Sequence, residues 1–406
     1  MDECSDYPFP FILNNRCPQM TQGAPPTPLK VFEFSAAFGG GHAQASDALS
    51  LALAALRPDL IRVQGDFVSY LNRFERLWTL DLYSYWLEYA PGGYRWFYTW
   101  TDSEQEPKFI TNTFNYLGLP GLLRDMQAAQ PGLVLSSFPT NVALADTARR
   151  RLEQRFLNVL AVTDYRVHHH WARPEADLLL VATQDAKAQL MHWGKRWGLI
   201  EERVAVTGIP ISARFASLLD RTPEQVAALR VKHGLRSDLP LLVVSSGGKG
   251  TYPTLNRLLG VLSHLGRPVQ VIVTSGRGLL GVERVGGASI HRTGYTEAFP
   301  ELLAAADLVV GKAGGLTVAE STALGVPMVV YEPIPGQEEY NAEYLFKHGA
   351  GVWPRDVHAL RRALLQMLDP DERALYSRAT QSISTPDAAD RAARAVLAGL
   401  ESGLGR

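Results

Sequence analysis

Cysteine is almost absent from this sequence of 406 residues, which contains only Cys4 and Cys17. So few cysteines exclude a disulfide framework and a cysteine-based zinc site, and they fit a reducing compartment. Long apolar runs are also missing, since none approaches the roughly 18 residues that span a bilayer. The first 28 residues hold six prolines and lack the basic and apolar regions of a signal peptide. We therefore expect a cytoplasmic protein that meets a membrane only peripherally.

An excess of charge of one sign is missing too. Lys and Arg number 40 against 41 Asp and Glu, which gives a formal net charge of −1. This balance gives no overall signal for nucleic acid, and we expect no nucleic-acid partner. The sequence does have the composition of a globular protein, with 46% hydrophobic residues, and its length favours two domains.

Short, continuously apolar segments alternate with helical patterns along most of the chain, as is typical of parallel strands buried on both faces. In the first half the predicted strands are Leu29–Ser35, Arg62–Asp66, Leu133–Ser137, Val159–Thr163, Leu178–Ala182 and Val204–Gly208. In the second half they are Leu241–Ser245, Val269–Thr274, Ile290–Thr293, Leu308–Gly311, Met328–Tyr331 and a short one at Val352. The sequence therefore predicts an α/β protein with two doubly wound, Rossmann-like domains facing each other across a cleft.

The predicted boundaries divide the chain into four parts. Residues 1–28 form an irregular tail, residues 29–213 a first domain and residues 214–385 a second domain. A final helical pattern occupies residues 386–406, and we expect this helix to pack back on the first domain.

A glycine-rich turn joins the strand Leu308–Gly311 to a helix, with the sequence Gly311-Lys312-Ala313-Gly314-Gly315-Leu316-Thr317. Glycines let the backbone approach a phosphate closely, and the free N–H groups at a helix amino terminus attract the anion. Thr317 adds a hydroxyl donor and Lys312 a cation, while the carboxylate of Glu320 is placed to accept both hydroxyls of a ribose. An ordinary tight turn has the same pattern, and the Lys-Ser/Thr pair of a Walker A loop is absent.

Two further segments follow predicted strands of the second domain, at the sheet edge where ligands bind in open sheets. The segment Pro335–Asn341 places the amide of Gln337 beside the carboxylate of Glu338, a pair suited to the vicinal hydroxyls of a hexose. A helix amino terminus whose acidic residues complement the dipole is the alternative interpretation. Gly248 belongs to a second glycine cluster, Gly247–Gly250, suited to contact a phosphate or a second substrate.

His42 follows the glycines Gly39–Gly41 at the start of the first predicted helix. A helix amino terminus favours the neutral imidazole, so His42 is a candidate general base, with a capping histidine as the alternative. Asp164, at a strand end, is a candidate partner that orients or assists His42. The run His168–His170 offers three imidazoles, but from an extended strand they do not easily converge on one ion, and we expect no metal site.

Residues 70–101 concentrate aromatic side chains, including half of the eight tryptophans in the chain: Trp78, Trp86, Trp96 and Trp100. Three arginines are interspersed: Arg73, Arg76 and Arg95. Amphipathic aromatics with basic neighbours suit an interfacial surface or the mouth of a lipid-binding groove. A pair of helices that packs its aromatic side chains into the domain core is the alternative interpretation.

Together these motifs resemble glycosyltransferase family 28, and within it the bacterial diacylglycerol glucosyltransferases and the monogalactosyldiacylglycerol synthases. The resemblance extends from about residue 29 to residue 398. Its motifs occur in order as Gly39-Gly40-Gly41-His42, Thr163-Asp164 with His168 and Trp171, Thr207-Gly208-Ile209-Pro210, Gly247-Gly248, Lys312-Ala313-Gly314-Gly315-Leu316-Thr317 with Glu320, and Pro335-Gly336-Gln337-Glu338 with Asn341. Each motif alone is common, whereas the ordered series is specific.

The resemblance implies a GT-B fold and an inverting transfer of glucose or galactose from a UDP-sugar to diacylglycerol, without a cofactor or an essential metal. The first domain would take the acceptor, peripherally bound to the anionic inner face of the plasma membrane, and the second would bind the donor. Donor contacts would come from Gly248, Lys312, Gly314, Gly315, Thr317, Glu320, Gln337, Glu338 and Asn341. Acceptor or membrane contacts would come from Gly41, Trp86, Trp96, Trp100 and His168, and catalysis from His42 and Asp164.

Other activities use the same two-domain fold. Transfer of N-acetylglucosamine to a polyprenyl-type lipid stays open, because the 2-substituent of the sugar is recognised by local shape. A UDP-N-acetylglucosamine 2-epimerase is disfavoured by the aromatic segment and by Gly41-His42. The presence of His42, Glu320 and Glu338 disfavours a nucleotide-sugar sensor without catalytic activity.

Overall fold

The first run of apolar segments forms a parallel six-stranded sheet in the computed structural model, which describes residues 28–36, 40–102, 116–245, 254–274 and 280–404. The strand order is β2-β1-β3-β4-β5-β6. The strands are β1 Lys30–Ser35, β2 Ile61–Asp66, β3 Leu133–Ser136, β4 Leu157–Ala161, β5 Leu178–Val181 and β6 Val204–Val206. The helices among them are α1 Gly40–Leu56, α2 Phe67–Tyr70, α3 Arg73–Arg76, α4 Leu82–Tyr89, α5 Pro91–Thr101, α6 Leu119–Ala129, α7 Pro139–Leu152 and α8 Gln184–Gly194.

The second run forms a seven-stranded sheet of order β13-β12-β11-β7-β8-β10-β9, in which only β9 is antiparallel to its neighbour. Its strands are β7 Leu241–Ser245, β8 Val269–Thr274, β9 Gly281–Val285, β10 Ala288–Arg292, β11 Leu308–Gly311, β12 Met328–Val330 and β13 Gly351–Val352. The accompanying helices are α9 Pro223–Lys232, α10 Leu255–Ser263, α11 Phe299–Ala304, α12 Gly315–Ala323, α13 Gln337–Lys347, α14 Val357–Met367, α15 Pro370–Ser382 and α16 Ala388–Glu401.

The predicted α/β class with two doubly wound sheets is confirmed. Strands such as β3, β7 and β11 are buried along their whole length, because helices cover both faces of each sheet. The sequence missed β9, whose five residues are all exposed at the sheet edge. A strand without a buried face has no apolar periodicity to detect. Most of the predicted tail and Gly248 lie outside the described residues.

The last helix returns to the first half of the chain. Ala392, Ala393 and Val396 of α16 are buried in one cluster with Leu49 and Leu53 of α1 and with β4 and β5. The carboxyl end of the chain therefore completes the core of the first sheet, and it ties the two halves together.

The aromatic segment forms the chain of short helices α2 to α5 between β2 and α6. A π-helical turn, Leu77–Asp81, joins α3 to α4, and Pro91 begins α5 after Ala90. None of the helices in the described ranges combines the length and apolar character that crossing a bilayer requires.

Candidate active site

The glycine turn of the second half meets the start of α1 at the junction of the two halves. A Cβ atom built on Gly41 would lie 3.5 Å from Cβ of Leu316, which is an ordinary contact. A Cβ atom on Gly315 would overlap the main-chain oxygen of Thr163, well inside the 3.0 Å that real Cβ atoms keep. The amino-terminal ends of α1 and α12 therefore face one cleft, and residue 315 has to be glycine.

The turn before α12 has the features of an anion site. Ala313 adopts φ 64°, in the left-handed region that costs a residue with a Cβ atom about 1–2 kcal/mol. Gly314 supplies no side-chain cap to α12, so the first N–H groups of the helix lack the partner that Ser or Asp would provide. Thr317 is half-buried in the first turn of the helix. The positive charge of Lys312 favours the ionised form of Glu338 and so opposes the effect of burial on its pKa.

His42 is held in place by contacts from two other strand ends. The hydroxyl of Ser137 donates to the main-chain oxygen of His42 at 2.9 Å, and Thr163 Oγ1 lies 3.0 Å from His42 Nδ1. The rings of Phe138 and Trp171 flank the imidazole, with centroids 5.9 and 6.3 Å away. Burial lowers the pKa of His42 to about 4, so the imidazole is neutral at physiological pH.

Asp164 is buried directly after Thr163, but its described partners differ from those predicted. Its carboxyl accepts from the amide of Asn341 at 3.4 Å, and the nearby indole of Trp171 favours its ionised form. Burial raises the pKa of Asp164 to about 7. The described hydrogen-bond contact with the His42 ring is made by Thr163. Asp164 would therefore affect His42 through the ring of Trp171, which lies beside the imidazole, or through the electric field of its charge.

Asn341 bridges the two halves. Its Oδ1 accepts from the main-chain N–H of Tyr165 at 3.0 Å, and its Nδ2 donates to the main-chain oxygen of Ala313 at 3.1 Å. With the bond to Asp164, both groups of this fully buried amide are used within the protein. Asn341 therefore fixes the glycine turn against the end of β4, and any effect on a donor would act through that turn.

Glu338 lies beside the glycine turn. Its Oε2 accepts from the main-chain N–H of Ile334 at 2.6 Å, and a Cβ atom on Gly314 would lie 3.9 Å from its Oε1. Burial raises the pKa of Glu338 to about 7. Gln337, half-buried, precedes it at the first position of α13. The structure thus brings the predicted amide–carboxylate pair next to the predicted phosphate turn.

Glu320 is buried one turn into α12. Its carboxyl has no hydrogen-bond partner among the described residues, and burial raises its pKa to about 8. A buried acid without a partner is held neutral at a cost in free energy. Together with Asp164 and Glu338 it gives the cleft three carboxyls whose proton affinity is raised by burial. Such groups can accept hydrogen bonds from the hydroxyls of a ligand.

The aromatic segment reaches the cleft through Tyr98, which sequence reasoning did not single out. Gly336 has φ 85°, and a Cβ atom there would overlap the ring of Tyr98. Beside it, the guanidinium of Arg95 lies 2.7 Å from the carboxylate of Glu339. Helix α5 therefore packs on the amino end of α13, although no local pattern distinguishes Tyr98 from the neighbouring aromatics.

The three consecutive histidines do not lie on a strand. Residues His169–Trp171 form a 3-10 turn, and the histidine ring nitrogens lie within 4.8 Å of one another, so the argument that they cannot converge was wrong. His168 Nδ1 accepts from the main-chain N–H of His170 at 3.1 Å, and Nε2 lies 3.3 Å from the main-chain oxygen of Tyr98. Nδ1 of buried His168 thus stabilises the turn itself, and Nε2 holds the turn against α5. That no essential metal is needed stays a prediction.

Trp86, Trp96 and Trp100 of the aromatic segment divide between two environments. Trp86 is half-buried, edge-on to Phe97 at 5.2 Å, and packs α4 against α5. Trp96 is 67% exposed and stacks on the half-buried Trp100, with centroids 5.8 Å apart. Further exposed aromatic side chains of this segment are Phe74, Tyr85 and Tyr89. Packing accounts for Trp86, whereas the outward aromatics form an apolar surface.

Comparison with known proteins gives matches over most of the chain. The family model for monogalactosyldiacylglycerol (MGDG) synthase matches residues 42–211, and the glycosyltransferase family 28 C-terminal domain matches residues 261–393. A processive diacylglycerol beta-glucosyltransferase of Bacillus cereus is 29% identical over 388 residues, 91% of this chain and 93% of the relative. A protein of the same name from Bacillus anthracis is 31% identical over 316 residues, 75% and 77% of the two chains. The solved structure of Acinetobacter baumannii MurG shares the fold, with TM-score 0.57, 15% identity, and coverage of 91% of this chain and 100% of that one.

Proposed function

The chain belongs to glycosyltransferase family 28, and from that premise we propose that it transfers glucose or galactose from a UDP-sugar to diacylglycerol with inversion at the anomeric carbon. Family membership confirms the resemblance drawn from the ordered motifs. One observation carries the proposal. The main-chain oxygen of Thr163 contacts Gly315 of the glycine turn, and the hydroxyl of Thr163 contacts His42, so turn and histidine lie at the same place. A phosphate-binding turn and a neutral base facing one cleft are what a sugar-nucleotide transfer requires.

The donor occupies the second half in this proposal. The uncapped amino end of α12 binds the diphosphate, because free N–H groups and the helix dipole favour an anion. Glu320, which lies on the same helix and has no hydrogen-bond partner among the described residues, accepts the ribose hydroxyls. Gln337 and Glu338 bind the hexose, and a hexose next to the diphosphate is supported by the position of Glu338 beside Gly314.

The reaction is a single displacement. The acceptor hydroxyl oxygen attacks the anomeric carbon and gives its proton to Nε2 of neutral His42. The bond between the anomeric carbon and the UDP oxygen breaks on the opposite face, which inverts the configuration. The α12 dipole and Lys312 stabilise the negative charge of the departing diphosphate, which is the part a divalent metal ion has in other enzymes.

The acceptor side is the first half. The names of the relatives support diacylglycerol as the acceptor. Exposed Trp96 and the other exposed aromatics give the aromatic segment an amphipathic character, and Arg73 and Arg76 of the same segment are exposed as well. Such a surface suits the inner face of an anionic membrane. Because α5 contacts the amino end of α13, lipid would be delivered close to the hexose.

The test of the proposal is transfer of a radiolabelled sugar. The purified protein is incubated with UDP-glucose or UDP-galactose and vesicles that contain diacylglycerol, and the lipids are separated by chromatography. We expect labelled β-hexosyl diacylglycerol from one of the two donors, with configuration determined by NMR. A second arm offers UDP-N-acetylglucosamine with a polyprenyl phosphate lipid. Product only in that arm, or an α-linked product, would refute the proposed acceptor or mechanism.

Replacing Trp96 by serine is expected to weaken binding to anionic vesicles about tenfold or more. An aromatic side chain of this size contributes about 1.5–3 kcal/mol when its apolar surface leaves water. Co-flotation with phosphatidylglycerol vesicles measures the effect. Phe346→Ser is the matched control, since Phe346 is equally exposed at 67% but lies at the carboxyl end of α13, opposite the end that packs on α5. Equal losses for the two variants would show that the aromatic segment is not the membrane contact.

Replacing Glu320 by glutamine is expected to raise the Kd for UDP about tenfold, because Glu320 accepts both ribose hydroxyls as a carboxylate with two acceptor oxygens, whereas an amide offers one. The variant also tests the raised pKa. A carboxyl whose pKa is 4.5 unfolded and about 8 folded destabilises the protein increasingly as pH rises between those values. Glutamine does not titrate, so the Tm of the variant relative to the unmodified protein should increase from about pH 5 to about pH 8.

Calorimetry with UDP and thermal unfolding across this pH range measure both effects. Glu297→Gln serves as the control, since the Glu297 side chain is 81% exposed. A Tm difference that does not change with pH would contradict the buried, neutral state of Glu320.

A further inference from the structure

Thr163 contacts both the candidate base and the donor turn. It is 5% exposed, and it lies two positions beyond β4 at the carboxyl edge of the first sheet. Its Oγ1 lies 3.0 Å from Nδ1 of His42. Its main-chain oxygen faces Gly315 at a distance that leaves no room for a Cβ atom. Side chain and main chain of one residue thus join two parts of the site from opposite halves of the chain.

The hydroxyl of Thr163 has a defined task in proton transfer. A neutral imidazole carries one proton, and the hydrogen bond made by one ring nitrogen decides which nitrogen holds it. If Nδ1–H donates to Thr163 Oγ1, then Nε2 keeps its lone pair and can accept the proton of an attacking hydroxyl. After transfer both nitrogens carry protons, and Thr163 Oγ1 still accepts from Nδ1. The same hydrogen bond therefore serves the base before and after the step.

An aspartate in this position would act differently. A carboxylate would favour the charged imidazolium and so raise the proton affinity of the ground-state ring. Asp164, the adjacent carboxyl, is instead engaged by Trp171 and Asn341. A neutral hydroxyl orients the imidazole and leaves it unprotonated in the buried cleft. Thr163 therefore orients the His42 ring without stabilising a positive charge on it.

We propose that Thr163 is the positioning residue of this site: its hydroxyl holds His42 in the Nδ1–H form with Nε2 free for the acceptor, and its carbonyl seats the donor turn at Gly315. The proposal deepens the proposed function, on which it rests. It explains why the residue at 163 carries a hydroxyl and why the turn that meets it carries glycine. Thr163 then sets the distance between the base, His42, and the UDP leaving group bound at the glycine turn.

The experiment compares Thr163→Val, which removes the hydroxyl at nearly constant shape, with Thr163→Ser, which keeps it. Nitrogen-15 NMR reports the tautomer of His42, whose signals are assigned by their loss in His42→Ala. We expect Nδ1–H in the unmodified protein and in Thr163→Ser, and a shift towards Nε2–H in Thr163→Val. The kcat of Thr163→Val should fall about tenfold, the equivalent of one hydrogen bond, with the KM for the UDP-sugar within about twofold. Thr163→Ser should retain most of the kcat.

Thr147→Val is the control for removal of a buried threonine hydroxyl, since the described hydrogen bond of Thr147 Oγ1 goes to the main-chain oxygen of Ala143 within α7. It should change neither the tautomer nor kcat. An Nε2–H tautomer in the unmodified protein would overturn the proposal, even if Thr163→Val failed to fold. A Thr163→Val variant with unchanged tautomer and kcat would overturn it as well. If the unmodified protein transferred no sugar but the tautomers behaved as expected, the proposed function would fail while the positioning role of Thr163 stood.

Discussion

Replacing His42 by alanine is expected to lower kcat for hexose transfer at least about 100-fold, because general base catalysis typically contributes that much. The loss should appear in kcat with little change in the Kd for UDP, since His42 lies on the acceptor half of the cleft. A folded pKa of about 4 means that the unmodified His42 is already in the neutral form that a base needs. Turnover with saturating UDP-sugar and vesicle-bound diacylglycerol measures the effect.

The control for this substitution is His264→Ala, which removes an exposed imidazole from the second half. It should leave kcat unchanged. Folding of His42→Ala is checked by thermal unfolding and by the Kd for UDP. Near-normal turnover in a folded His42→Ala variant would end the assignment of His42 as the base. The base would then have to be sought among the buried carboxyls, with Asp164 first because it lies nearest in the chain to Thr163.

Replacing Gly315 by alanine is expected to lower kcat/KM about 100-fold or more. The added methyl group would overlap the carbonyl oxygen of Thr163, so either the turn shifts or the two halves move apart. Overpacking of this kind costs about 1–3 kcal/mol, and a displacement of about 1 Å in a reacting group can lower the rate about 100-fold. Unlike His42→Ala, this variant should also bind UDP more weakly, because the turn itself is displaced.

Two other glycine substitutions calibrate this result. Gly260→Ala adds a methyl group to open space on α10 and should leave the activity unchanged. Gly314→Ala, in the same turn, would meet only Glu338 Oε1 at 3.9 Å and should lower kcat/KM less than Gly315→Ala. If Gly315→Ala and Gly314→Ala were equally active, the halves would not meet at Thr163 as described. Small-angle scattering of Gly315→Ala would reveal separation of the halves.

Much of the fold was predictable because its signal is local. Strands such as β7, β8 and β11 lie at the predicted positions, since a strand buried on both faces reads as a continuous apolar segment. The glycine turn was recognisable for the same reason, as a short segment between a strand and a helix. By contrast, β9 is exposed on both faces and gave no signal. The convergence of the three histidines was missed because they form a 3-10 turn and not the extended strand that the argument assumed.

The sequence by itself determined the two doubly wound halves, the glycine turn that ends in Thr317 and the ordered motifs of family 28. Only the tertiary structure decided that Thr163, rather than Asp164, contacts His42, that Asn341 bridges the halves, and that Tyr98 reaches the cleft. The physical reason is that the residues in these contacts are far apart in the sequence. Apolar periodicity reports on neighbours within one element, whereas His42 and Thr163 are 121 positions apart and Tyr165 and Asn341 are 176 apart. His42 and Thr163 meet when the first sheet and its helices form, whereas Tyr165 and Asn341 meet only when the two sheets dock, and that docking brings the base to the glycine turn.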